Sequence, residues 1–239
     1  MLARRSGRGK RIGVSAVAVA AALFLCAVLQ PVAAQRASTC PPSRTPIKLS
    51  FNTVTPAPVH SHRLSLAGIA NLVDDGQASA RSRTVGLTTL KAMSSLEGAS
   101  TLVKRGDGFC VYLTSVRVDF GWEDMQVYVP SDYRQGSCEY KAVLDHENEH
   151  VAIVRAALKE FAPRARARIE AALAQTRPIL ASGQNGSTEQ ALAPLHAQLS
   201  TLLKDFDALH SARSARIDHP SNYAAVTAMC KNWDGPVQK

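Results

Sequence analysis

The 239-residue chain carries a formal charge of +9, but five of its basic residues lie in the first 34 positions, which hold no acidic residue; without them the excess is +4. So mild a surplus, with no RNA- or DNA-binding motif beside it, excludes a nucleic-acid-binding reading. The roughly 205 residues that follow are enough for one domain with an adequate core.

In chain order, Arg4, Arg5, Arg8, Lys10 and Arg11 form a basic region, Ile12 to Leu29 an apolar run, and Val32-Ala33-Ala34 a small-residue site before Gln35. Together they read as a secretory signal peptide over 1–34, with the mature protein secreted or periplasmic and holding no membrane anchor. Retention of the apolar run as an uncleaved anchor is the alternative. Beyond Cys26, four cysteines remain, Cys40, Cys110, Cys138 and Cys230, an even number that predicts two disulfides in an exported chain. Of the three possible connectivities, the expected pairs are Cys110 with Cys138 and Cys40 with Cys230.

The expected domain spans 35–239, with an extended lead-in over 35–46, mainly strands over 47–136 and mainly helices over 137–239. Ile47 to Val54 and His62 to Leu66 read as strands, and Ala67 to Ser100 is ambiguous. Val116, Val118 and Phe120 alternate with Ser115, Arg117 and Asp119, so Cys110 to Phe120 is a strand; Met125 to Val129 is another, and Gly121-Trp122-Glu123-Asp124 between them predicts a hairpin turn. Cys138 to Ala162 is apolar at helical spacing, with Ser137 as its N-cap. Pro163 predicts a kink or the start of a second helix running to about Ala174. Arg164, Arg166 and Arg168 spread around that helix as a solvated face. Ser187 and Gln190 suggest a capping box for a helix through Leu209, and a short last helix follows Ser221 and ends near Cys230. Strands first and helices after describe an α+β fold: an antiparallel sheet in the N-terminal half packed against one long helix, with further helices C-terminal.

The long helix carries His146-Glu147-Asn148-Glu149-His150, an HExxH motif. Residues i and i+4 share a helical face, so two imidazoles can grip one metal ion, and the acid one step round can work on a water at the metal's open position without being a ligand. The pattern predicts Zn2+ on His146 and His150, with Glu147 as the general base that takes a proton from water and returns it to the leaving amine. Glu149 is charged where zincin helices are usually uncharged. Asp145 and Glu149 are candidates to orient the imidazoles, and Tyr128, Tyr133, Tyr140 and Tyr223 to stabilise an oxyanion. His60, His62, His196 and His210 carry no spacing signal. By analogy with zincin peptidases, Met125 to Val129 is the expected edge strand for an extended substrate.

From the cysteine-bearing strand at Cys110, through the motif, to Asp218-His219, the order of features resembles a family of bacterial secreted proteins described as predicted zinc-dependent proteases of otherwise unknown function. That family has an HE-polar-polar-H helix, matched here by Asn148-Glu149, and a later segment with Asp, Thr and His followed by Gly. Here Ile217-Asp218-His219-Pro220 lacks the Thr and the Gly. The resemblance covers about half of the chain beyond 1–34, and only HExxH is specific. It implies a secreted zinc peptidase acting on a peptide or protein substrate. Catalytic zinc takes three protein ligands and leaves one position for water. His219 fits the family order as the third ligand; Glu170 and Asp218 are the other candidates. Glu170 requires the chain to reverse near Pro163, since on a continuous helix it ends roughly 30 Å from the metal. The alternative function is a non-catalytic, disulfide-bonded envelope protein with a binding or structural role.

Overall fold

The computed structural model describes residues 39–73, 85–231 and 233, which belong to one unit; the expected signal peptide lies outside them. Its elements are β1 (Lys48–Val54), β2 (Val59–Ser61), α1 (Leu66–Val73), β3 (Leu87–Arg105), β4 (Gly108–Tyr128), α2 (Cys138–Gln175), β5 (Ile179–Ala181), α3 (Ser187–Ile217) and α4 (Pro220–Ala228).

The sheet is built around β4, a single strand of 21 residues. It forms an antiparallel hairpin with the 19-residue β3, turning at Gly106-Asp107, where Gly106 takes a left-handed φ of 58°. The hairpin turn expected at Gly121–Asp124 is therefore incorrect. What lies there is a bulge: Lys91 pairs with Asp124 and Ala92 with Trp122, leaving Glu123 extra, and Thr114 is extra in the same way between Leu113 and Ser115. Each bulge shifts the strand by one residue, so that Leu113, then Val116 to Trp122 on alternate positions, then Met125 and Val127 all face the core. Gly121, at φ 145°, fits because a Cβ there would collide with the carbonyl of Val54.

β3 covers one side of β4 from end to end. The registers of β5 on 109–111, β1 on 115–121 and β2 on 126–128 consequently lie one after another along its other side. β5 runs antiparallel, but β1 and β2 run parallel to β4. The expected antiparallel sheet is thus corrected to a mixed one. Alternation identifies strands but carries no direction, and the long crossover through α1 and β3 is what allows β1 to join β4 in parallel. Met125–Val129 is likewise not an edge strand, since β3 and β2 pair with it on both sides. The strand expected from His62 lies earlier, in β2, and Leu66 begins α1, where the Ser65 hydroxyl accepts from Gly68 N at 3.1 Å.

α2 is one uninterrupted helix of 38 residues. Ser137 caps it by accepting from Tyr140 N, and an inward stripe from Val143 through Val154, Leu158, Ala165 and Ile169 to Leu173 continues past Pro163. The second helix expected as one alternative at Pro163 does not start there, because the stripe on both sides of it packs on the same sheet and on α3. α3 runs back along α2, as Arg168 with Asp205 and Arg213 with Glu160 show. Its N-cap is Gly186, and Ser187 turns its hydroxyl to Gln184 O, so the expected capping box does not form. Arg164, Arg166 and Arg168 all make exposed ion pairs.

The disulfides are Cys40–Cys110 and Cys138–Cys230, which corrects both expected pairs. Cys110 stands at the start of β4 and Cys138 follows its end; eighteen residues of extended chain span roughly 60 Å, so these two cannot meet. Two disulfides are compatible with an oxidising compartment, and among the described residues no helix is long and apolar enough to cross a membrane.

The core centres on Phe206, whose ring lies 5.3 Å from Phe120, 4.9 Å from Trp122 and 5.4 Å from Phe161. Phe206→Ala should cost about 3–5 kcal/mol, read as a lower urea midpoint at unchanged m-value.

Candidate metal centre

Three donor groups converge at the N-terminal half of α2. His146 and His150, one turn apart, set their rings 5.0 Å from each other, and Asp218 arrives from the C-terminal end of α3. The ligand atoms of these three residues all lie within 4.8 Å of one another. His150 Nε2 is 3.0 Å from Asp218 Oδ1, and the Tyr223 hydroxyl of α4 donates to the same oxygen at 3.0 Å. His146 Nε2 is 3.5 Å from it, buried and without a hydrogen-bond partner. A buried imidazole nitrogen left unpaired beside a carboxylate and a second imidazole is what a cation site made of N, N and O donors requires. The residues fit zinc. The histidines are buried, whereas the Asp218 side chain is 39% exposed, so the cluster opens to solvent on that side.

Of the three candidates for the further ligand, the structure brings together only Asp218. His219, expected from the family order, points away: its ring caps α4 by accepting from Ser221 N, with Nδ1 2.9 Å from Ser221 Oγ. The two neighbours diverge because Asp218 ends α3 while His219 begins α4. Glu170 sits twenty residues beyond His150 on the same uninterrupted helix, paired with Arg166 at 2.8 Å. Asp145 and Glu149 make no hydrogen bond to either imidazole. Of the four tyrosines, Tyr223 is the one at the site, its ring 5.3 Å from His146.

Glu147 is buried between the motif helix and the start of β3. The Thr88 hydroxyl lies 2.8 Å from Glu147 Oε2 and 3.1 Å from its backbone carbonyl, sharing its proton between them. Gly86 closes over the same carboxylate so tightly that a Cβ would stand 2.6 Å from Oε1. One step round the helix, His60 Nε2 meets Asn148 Oδ1 at 3.0 Å. His60, Val127 and Thr88 are in register across β2, β4 and β3, so one row of the sheet seats the motif helix. Thr88 and Gly86 carried no signal in the sequence, since they lie in or beside a stretch with no clear period.

The electrostatics follow from this arrangement. Burial pushes the Glu147 carboxyl up from its ordinary range, opposed by the Thr88 hydrogen bond and the charge of both imidazoles. Burial would also raise Asp218, but its contacts with His146 and His150 outweigh that and hold it well below the usual carboxylate range. The adjoining Asp218 carboxylate raises His146, and burial followed by the Asp218 charge raises Tyr223. The two carboxyl groups of the cluster are therefore pushed in opposite directions, buried Glu147 up and Asp218 down.

Comparison with protein-family models, curated proteins and solved structures returns no match for this chain.

Thr88→Val removes the donor to a buried carboxyl and should lower stability by about 1–3 kcal/mol in urea unfolding, with Thr88→Ser recovering most of the loss.

Proposed function

We propose that this protein is an exported zinc-dependent hydrolase, a metallopeptidase of the HExxH type, in which His146, His150 and Asp218 hold the metal and Glu147 is the general base. The observation that carries the reading is the convergence of His146, His150 and Asp218 donor atoms within 4.8 Å, beside a buried acid that is not one of them. Asp218 replaces His219 in the ligand set. Two neutral imidazoles and one carboxylate are the donor types that zinc accepts while keeping a position for water.

Bound there, zinc would supply Lewis-acid polarisation of a substrate carbonyl and a lowered pKa for water. The chain's own residues do the rest. Glu147, raised by burial, accepts a proton from the attacking water, then delivers it to the amine as the peptide bond breaks. Thr88 and Gly86 hold its carboxylate in place for both transfers. The Tyr223 hydroxyl, kept protonated by its surroundings, donates to Asp218 Oδ1 and would serve a developing oxyanion only by leaving that partner. A peptide substrate suits the extended outer strand β3, whose first residues run past Glu147. A non-catalytic envelope role is favoured by one observation, that His150, Asp218 and Tyr223 already satisfy one another by hydrogen bonds.

Elemental analysis of the oxidised protein separates the two: one zinc per chain is expected, lost in the double variant His146→Ala, His150→Ala, whereas absence of zinc favours the envelope role. Asp218→Ala should weaken zinc binding by at least tenfold and His219→Ala should leave it unchanged, which tests the ligand set. Glu147→Gln should keep the zinc and lose several orders of magnitude in peptide hydrolysis; an unchanged rate would refute its role.

A further inference from the structure

Residues 218–230 lie along the first turns of α2 as an antiparallel strap. Asp218 meets His150 at 3.0 Å, the Tyr223 ring stands 5.3 Å from that of His146, Val226 packs with Ala142, and Cys230 is bonded to Cys138. On α2 these partners are 150, 146, 142 and 138, each one turn below the last, so the strap follows a single face of the helix from the metal site to the disulfide.

The strap has little of its own to keep it there. α4 is nine residues long, shorter than an isolated helix can sustain, and Val226 is the one residue it buries. The polar contacts at its upper end are those a metal would reorganise. Its lower end is covalent, and Cys138–Cys230 spans 92 residues of sequence between the motif helix and the strap. A tether that confines Asp218 near the histidines meets in advance the ordering cost that metal binding would otherwise bear. Cys40–Cys110 has no such relation to the site: it joins the lead-in to the opposite end of β4.

We infer that the Cys138–Cys230 disulfide is a positioning element of the metal centre, holding the 218–230 strap on α2 so that Asp218 and Tyr223 are presented to His146 and His150. This rests on the metal-site reading above. It separates the two disulfides by role: one sets metal affinity, the other only stability.

The test measures zinc affinity of the full oxidised chain by competition with a chromophoric chelator. Three proteins are compared: the wild type, Cys138→Ser with Cys230→Ser, and Cys40→Ser with Cys110→Ser. The first double variant should bind zinc about ten- to a hundredfold more weakly with its far-UV spectrum intact, while the second keeps wild-type affinity despite a lower melting temperature. Unchanged affinity in the first, or equal losses in both, overturns the inference. Inserting two glycines between Met229 and Cys230 keeps the bond but slackens the strap, and should weaken zinc binding in the same direction; wild-type affinity there overturns the inference even if the serine variants do not fold. A wild type that binds no zinc fails the metal-site reading itself, an outcome distinct from tight binding that ignores the disulfide.

Discussion

The arrangement of this protein turns on one electrostatic meeting, the approach of Asp218 to the imidazoles of His146 and His150. Nothing local brings it about, since the acid lies 68 residues beyond His150. α2 carries the chain away from the motif, β5 and a short loop reverse it, and α3 carries it back along the same helix, held by Arg168–Asp205 and Arg213–Glu160 and by an apolar seam. The uninterrupted course of α2 through Pro163 therefore matters to the site. A chain that turned back at Pro163 would bring Glu170 toward the histidines; the continuous helix removes Glu170 and leaves α3 to deliver Asp218.

The sheet has a matching task on the other side of the motif. β4 is long and its two bulges keep apolar residues facing the helices through two changes of phase, so α2 rests on a continuous floor from Val111 to Val127. The row His60, Val127 and Thr88 then meets the helix at Asn148 and Glu147. Glu147 is gripped from the sheet side, whereas the histidines face α4. That division keeps the acid outside the cluster of His146, His150 and Asp218 while leaving it within electrostatic reach of both imidazoles.

The places where sequence pattern misled share a physical origin. Gly121-Trp122-Glu123-Asp124 contains turn-forming residues and a break in alternation, and both a turn and a bulge produce that signature. The true turn, Gly106-Asp107, bore a recognisable two-residue hairpin dipeptide, hidden because β3 has no clear alternation of its own. Parallel pairing of β1 and β2 and the choice of cysteine partners depend on how distant segments come together, and neither leaves a local trace.

What the sequence determined by itself was local. Helical spacing put His146 and His150 on one face, Glu147 one step off it and Ser137 at the cap, because a helix maps sequence separation directly onto direction. It also left a few residues, Asp218 and His219 among them, as candidates to join the two histidines. Only the tertiary structure placed one of those two beside the imidazoles. A single peptide unit, where α3 ends and α4 begins, turns one side chain toward the imidazoles and the other toward Ser221, because Asp218 closes α3 while His219 caps α4 and the two helices pack on α2 separately.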